Sequence, residues 1–248
     1  MVPENVPLRD PPPQAPPIGA LAGAGPPVAP EDEVDELVYR ISHDLRASIR
    51  ALQELPSWII EDLGDSGTAS PRSHLSHIAS HARRLDQMLN GLLEYARVGR
   101  LQTVARLSPG DVLDDVIDDL GPPGGVTIEN GLPAGVLCFG ATDLRRVFMI
   151  LLTNAIRHNP ARPARIAVTG GVVDGAWEIT VTDDGPGIPA EARAAVIRPL
   201  VKLSSRDVDE GPGMGLAILH KIADRAGGDL RIDDGPGGGT AVTIRLGR

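Results

Sequence analysis

Apolar or small residues recur at Val34, Val38, Ile41, Leu45, Ser48, Leu52, Leu55 and Ile59, in alternating steps of four and three. That spacing is a heptad seam and predicts an amphipathic helix from Glu31 to about Leu63. Glu31, Asp32, Glu33, Asp35 and Glu36 put negative charge in its first turns, where the helix dipole favours it. Pro56 falls inside the helix at a cost of about 3 kcal/mol, so a kink is predicted there. Gly64-Asp65-Ser66-Gly67, with Ser70-Pro71, reads as a turn. A second run follows the same alternation at Leu75, Ile78, Ala82, Leu85, Leu89, Leu92 and Ala96. Two such helices joined by a short turn make an antiparallel hairpin. One hairpin buries its seam poorly and two complete a four-helix bundle, so a homodimer is predicted. A monomeric hairpin packed on the downstream residues is the alternative.

Beyond Arg97-Val98-Gly99-Arg100 the heptad pattern gives way to mixed periods. Ser108 as N-cap and Pro109 in the first turn open a helix through Leu120. Short strands follow at Val126–Glu129 and Val136–Phe139. Thr142 is expected to cap a long apolar helix through His158, stopped by Pro160. Strands Arg165–Val173 and Ala176–Thr182 flank Asp174-Gly175, a hairpin turn. A short helix at Pro189–Ile197, a polar loop at Ser204–Pro212 and a helix at Gly215–Ala226 precede a second hairpin, Leu230–Ile232 with Ala241–Leu246. The fold class is α+β: a helical hairpin, then a mixed, largely antiparallel sheet covered by helices on one face. Three segments result: an arm over 1–30, the helical hairpin over 31–99, and an α/β domain over 100–248.

Composition refines this picture. Residues 1–30 are mostly Pro, Gly and Ala, too poor in bulky apolar groups to offset ordering entropy, so a disordered or semi-extended arm is expected. Aromatics are 2% of the 248 residues, so the core must be built from aliphatic side chains. The net charge of −9 argues against nucleic acid or an anionic membrane as main partner. No apolar run is long enough to cross a bilayer, no membrane insertion is expected, and the single cysteine, Cys138, fits a reducing compartment. A cytoplasmic protein is expected.

Four stretches carry candidate chemistry. His43 falls at position f of the heptad, furthest from the seam, with Asp44 beside it, so its imidazole is expected to face solvent. Asn154 lies on the inward side of the long helix; an amide oxygen suits Mg²⁺, and Arg157, three residues on, suits a phosphate. In Asp183-Asp184-Gly185-Pro186-Gly187-Ile188 a carboxylate follows a strand. Ionised, it only accepts hydrogen bonds, which suits the exocyclic amine of adenine, and Gly187 lets a ring approach the backbone. Gly211-Pro212-Gly213-Met214-Gly215-Leu216-Ala217 ends a polar loop and opens a helix, so its amides form an anion site. His74, His77 and His81 cluster on the second helix without a completing carboxylate or cysteine, and a solvated polar face is the better reading.

Taken in order, these stretches resemble the sensor histidine kinases over about residues 31–248. Ile41–Ile49 is similar to the phosphoacceptor box of the HisKA-type dimerisation domain. Asn154–His158, Asp183–Ile188 and Gly211–Leu216 resemble the N, G1 and G2 boxes of the GHKL (Bergerat) ATP-binding domain. Gly237-Gly238-Gly239-Thr240 resembles the final glycine box. The resemblance implies ATP and Mg²⁺ as cofactors, with His43 as nucleophile toward the γ-phosphoryl group and Asp44 orienting its ring. Asn154 would hold Mg²⁺, and Arg157, His158 and Lys202 would face the phosphates. Asp183, Gly185, Gly187, Gly211, Gly213, Gly215, Leu216 and Thr240 would line the nucleotide. Partners implied are a second copy of the chain and the receiver domain of a response regulator.

Departures from the pattern qualify what is implied. Ser48 stands where the family often has proline, and Ala47 where many members carry a Thr or Asn linked to phosphatase action. Ile150 replaces the first asparagine of the N box; related ATPases carry a water-activating glutamate there, a task isoleucine cannot perform. Leu200 stands in place of an F-box aromatic, and the lid, about Val201–Glu210, is short. The leading reading is an ATP:protein-histidine kinase. One rival is a degenerate binding module without turnover; another is a phosphotransferase that has lost nucleotide binding.

Overall fold

The computed structural model describes residues 69–100, 102–159, 163–202 and 212–247, with Ile49, Leu52, Pro56 and Ile59, all four helical. The arm over 1–30, the predicted turn at Gly64–Gly67, and His43, Asp44 and Gly211 lie outside the described residues. Helix α1 (Ala69–Arg97) is followed by β1 (Val104–Leu107), α2 (Pro109–Leu120), β2 (Val126–Gly131), β3 (Leu137–Gly140) and α3 (Ala141–His158). Then come β4 (Ala164–Val173), β5 (Ala176–Asp183), α4 (Ala190–Val196), α5 (Gly215–Arg225), β6 (Leu230–Asp234) and β7 (Thr240–Leu246).

The main sheet has the order β2-β4-β5-β7-β6. Its β2–β4 pair is parallel and the other three are antiparallel. Alternation along the strands separates the two faces. Trp177, Ile179 and Val181 of β5 and Ile166 and Val168 of β4 are buried in one core with Leu144, Val147, Phe148, Leu151 and Leu152 of α3 and Ile218, Leu219 and Ile222 of α5. The opposite face is polar: Thr180 and Thr243 share a hydrogen bond of 2.8 Å, and Glu178 pairs with Arg231 and Arg245. The predicted mixed sheet with helices on one face is what forms.

Local chemistry explains the element ends. The Ser108 hydroxyl accepts from the Asp111 amide at 3.4 Å, and Pro109 sits in the first turn of α2, as predicted. Asp174 (φ 51°) and Gly175 (φ 78°) both adopt the left-handed region that a tight hairpin turn needs. Three expectations are corrected. The long helix begins at Ala141 with Gly140 as N-cap, so Thr142 lies inside the first turn and caps nothing. Ser70-Pro71 belongs to α1 rather than to a turn, because a first-turn proline loses no intrahelical bond. Strand β1 was not predicted; it pairs antiparallel with β3 as a separate two-stranded sheet.

Helix α1 does not present its seam uniformly. Leu75, Ala82 and Leu89 are buried, as are Ile49 and Pro56. Ile78 and Leu85 are 48% and 47% exposed, and Leu52 and Ile59 are similarly open. Its last turns join the core of the α/β domain: Val98 is buried there, and Leu92 and Tyr95 pack against it. The following connection is pinned by the buried Asp143 of α3, whose Oδ2 accepts from the Gly99 amide at 2.9 Å and from the Gln102 side chain. Gln102 Oε1 in turn accepts the Asp143 amide at 3.1 Å, and Arg146 pairs with the same carboxylate.

Candidate nucleotide site

The loops carrying the candidate chemistry meet along the C-terminal turns of α3. At one level, Asn154 faces the start of α5: a Cβ placed on Gly215 would stand 3.6 Å from Asn154 Nδ2 and 3.0 Å from Ile150 Cγ2. One turn on, a Cβ on Gly185 would stand 3.4 Å from the His158 carbonyl oxygen and 3.3 Å from Asn159 Cβ. Both contacts require glycine or a shift of the neighbours, so the two loops approach α3 backbone to side chain.

Asp183 organises the first loop. Its Oδ1 accepts the amides of Gly185 at 2.9 Å and of Thr240 at 3.3 Å, while Oδ2 accepts none among the described residues. The carboxylate is thus oriented by backbone donors and keeps acceptor capacity for a ligand amine. Gly187 (φ 77°) permits the chain to reverse beneath it, where a Cβ would meet the Gly238 carbonyl oxygen at 2.7 Å. The turn that carries Gly238 is closed by a bond from the Gly235 amide to the Gly239 carbonyl, 2.8 Å.

The neighbouring carboxylate, Asp184, works differently. Its Oδ1 accepts the Arg165 amide at 2.9 Å and the Asn159 side-chain amide. The Arg165 N–H foremost, and Asn159 after it, hold this carboxyl below the ordinary carboxylate range. Arg193 of α4 donates to the Ile188 carbonyl oxygen at 3.0 Å and pairs with Asp234, fixing the far end of the loop to β6. Sequence reading missed Asn159, Asp184 and Arg193 as supports; no periodicity or motif spacing marks any of the three.

The second loop ends at Met214, the N-cap of α5, whose side chain makes no capping bond. The first-turn amides, beginning with Gly215 and Leu216, therefore remain oriented toward the loop mouth, the arrangement that favours an anion. Gly213 (φ 73°) lies against Val201 and Lys202: a Cβ there would meet the Val201 carbonyl oxygen at 2.7 Å and Lys202 Cγ at 3.1 Å. The Leu200 amide donates to the Gly213 carbonyl oxygen at 3.0 Å, with Leu200 itself at φ 64°. So Asn154, Lys202, Gly213, Gly215 and Leu216 gather at one end of the site, and Asp183, Gly185, Gly187 and Thr240 at the other. Arg157 and His158 are exposed on the last turn of α3 between them. His77 and His81 are exposed, and no group of metal-ligating side chains occurs among the described residues. Nor, among those residues, is any helix long and apolar enough to cross a membrane.

Comparison with known proteins agrees with this geometry. Residues 140–248 match the family described as histidine kinase-, DNA gyrase B-, and HSP90-like ATPase. The chain is 32% identical over 227 residues to the sensor protein KdpD of Rathayibacter rathayi, covering 89% of this chain and 26% of that protein. The chain thus spans about a quarter of that relative. A mycobacterial sensor histidine kinase, MprB, superposes with a TM-score of 0.52 at 27% identity, covering 58% of this chain and 97% of that structure. The fold also matches full-length ShkA in complex with AMPPNP, TM-score 0.63 at 22% identity, over 86% of this chain and 45% of that one. The chain is thus similar to sensor histidine kinases over most of its length, and residues 140–248 form an ATP-binding domain of the GHKL type.

Proposed function

We propose that the protein binds Mg²⁺-ATP between α3, the Asp183–Ile188 loop and the start of α5, and transfers the γ-phosphoryl group to His43. The observation that carries this reading is the gathering of Asn154, Asp183, Gly213 and Gly215 around the C-terminal half of one helix. Asp183 accepts the exocyclic amine of adenine through Oδ2 while the Gly185 and Thr240 amides hold Oδ1. The amides at the start of α5, with Lys202 and Arg157, meet the phosphates. The half-buried Asn154 amide beside Gly215 is a suitable oxygen donor for Mg²⁺, which when bound offsets phosphate charge. Asp44 orients the His43 ring and accepts the proton of one nitrogen, so the other attacks phosphorus as ADP departs and a phosphoramidate forms. Positioning and charge neutralisation supply most of the rate, as in other phosphoryl transfers. The phosphoryl group then passes to an aspartate on a response-regulator receiver domain. The working unit is a homodimer through the helical hairpin, cytoplasmic in location; Leu52, Ile59, Ile78 and Leu85, exposed at seven-residue intervals, support that assembly.

The test is incubation with γ-labelled ATP. An acid-labile, base-stable label is expected on the wild-type chain and none on His43→Gln, with ATP binding retained in that variant and lost in Asp183→Asn. Measurable ATP binding with no label on the wild type would instead assign the chain to a binding module without turnover.

A further inference from the structure

Glycine is the poorest helix former after proline, yet Gly91 stands in the interior of α1, two turns before its end. Its surroundings give the reason. A Cβ at this position would meet Met214 at 2.6 Å from Cγ and 2.9 Å from Cβ, with Pro212 Cγ at 3.5 Å. Met214 is 2% exposed and lies between Gly213 and Gly215, so the residue received by the helix belongs to the phosphate loop itself. Contacts on either side extend the seat: Lys221 Nζ of α5 stands 4.1 Å above the Tyr95 ring, and Arg225 packs where a Cβ on Gly99 would lie, 3.1 Å away. Asp143 ties the Gly99 amide to α3 from the other side. The last turns of α1 and the nucleotide-binding domain are therefore held in one orientation at the loop that would carry the phosphates.

We infer that Gly91 is a positioning residue: a notch in α1 that seats Met214 and so sets where the phosphate loop stands along the helical stalk. The inference rests on the kinase reading above. In the hairpin expected from the seam, positions equidistant from the Gly64–Gly67 turn stand level. His43 is then level with about Met88, within about one helical turn of Gly91. A side chain at 91 lifts the loop from the stalk and displaces the phosphoryl donor from the acceptor without removing any group that touches the nucleotide. An offset of about 1 Å in such a geometry costs up to about a hundredfold in rate.

The full chain carrying Gly91→Ala or Gly91→Leu tests this, since both substitutions favour the helix and leave it able to form. Expected are ATP affinity and KM for ATP within about twofold of wild type, with labelling of His43 slowed between about ten- and a hundredfold, more for Leu than for Ala. A second readout does not depend on turnover. In a Cys138→Ser background, the pair Gly91→Cys with Met214→Cys should form an intramolecular disulfide on mild oxidation, as their proximity demands. Undiminished labelling in Gly91→Leu, or equal loss of ATP binding and labelling, overturns the positioning role and leaves the kinase reading standing. Absence of the disulfide overturns the seat. No label on the wild type, with the disulfide formed, fails the kinase reading and the positioning role with it.

Discussion

A methyl group added at Gly239 would overlap the carbonyl oxygen of Asp183, and one at Gly187 would meet the carbonyl of Gly238. The Asp183–Ile188 loop and the final glycine turn are thus in backbone-to-backbone contact, and the Thr240 amide reaches Asp183 only because they are. Gly239→Ala forces the two chains apart. A loss of about 1–3 kcal/mol of stability is expected, as for other overpacked sites, together with at least about a tenfold loss of ATP affinity. Calorimetric unfolding and fluorescent-nucleotide titration measure the two; unchanged ATP affinity would mean that Thr240 does not hold Asp183 for the ligand. The Asp183 loop stood out in the sequence only in company with the other motifs, since a carboxylate before a glycine-rich turn is by itself merely a turn. The Gly239 contact did not stand out, because it joins positions more than fifty residues apart whose only shared property is lacking a side chain.

At the scale of elements, the long helices and paired strands were easier to read than the struts between them. Strand β1 escaped prediction because Val104–Leu107 is exposed on three of its four positions and shows no alternation. The heptad pattern of α1 marked the helix but not the division of its apolar positions between a buried and an open face. Asp184 is a further case: in the sequence it looks like a second loop carboxylate, yet it joins the start of β4 to the end of α3 through Arg165 and Asn159. Its folded-state pKa is depressed, so its contribution to stability is present above the unfolded value of about 3.9 and is lost as pH falls through the lower folded value. The difference in melting temperature between wild type and Asp184→Asn should hold steady from neutral pH down to about pH 4 and then close with further acidification. A difference independent of pH down to about pH 2.5 would show that the amide geometry, and not the charge, joins the two elements.

For the whole molecule, the open face of the helices has to be accounted for. Leu52 and Ile59 on one side of the predicted turn and Ile78 and Leu85 on the other remain more than 40% exposed in the single chain. Each completes about 1 kcal/mol of further burial at most if a partner covers it, judged against the 1.5–3 kcal/mol of a fully buried aliphatic side chain. Eight such side chains across a twofold interface offset a substantial part of the roughly 4–15 kcal/mol that association costs, so the dimer depends on nearly all of them. A charge at two of the four positions removes their burial and brings like charges together across the axis. The chain should therefore be a dimer by light scattering at micromolar concentration, and Ile78→Glu with Leu85→Glu should make it a monomer that still binds ATP, since neither side chain reaches the core built around α3 and α5. A wild-type monomer would return these four residues to the alternative of a hairpin that needs no second copy, and a double variant that remains dimeric would place the interface elsewhere.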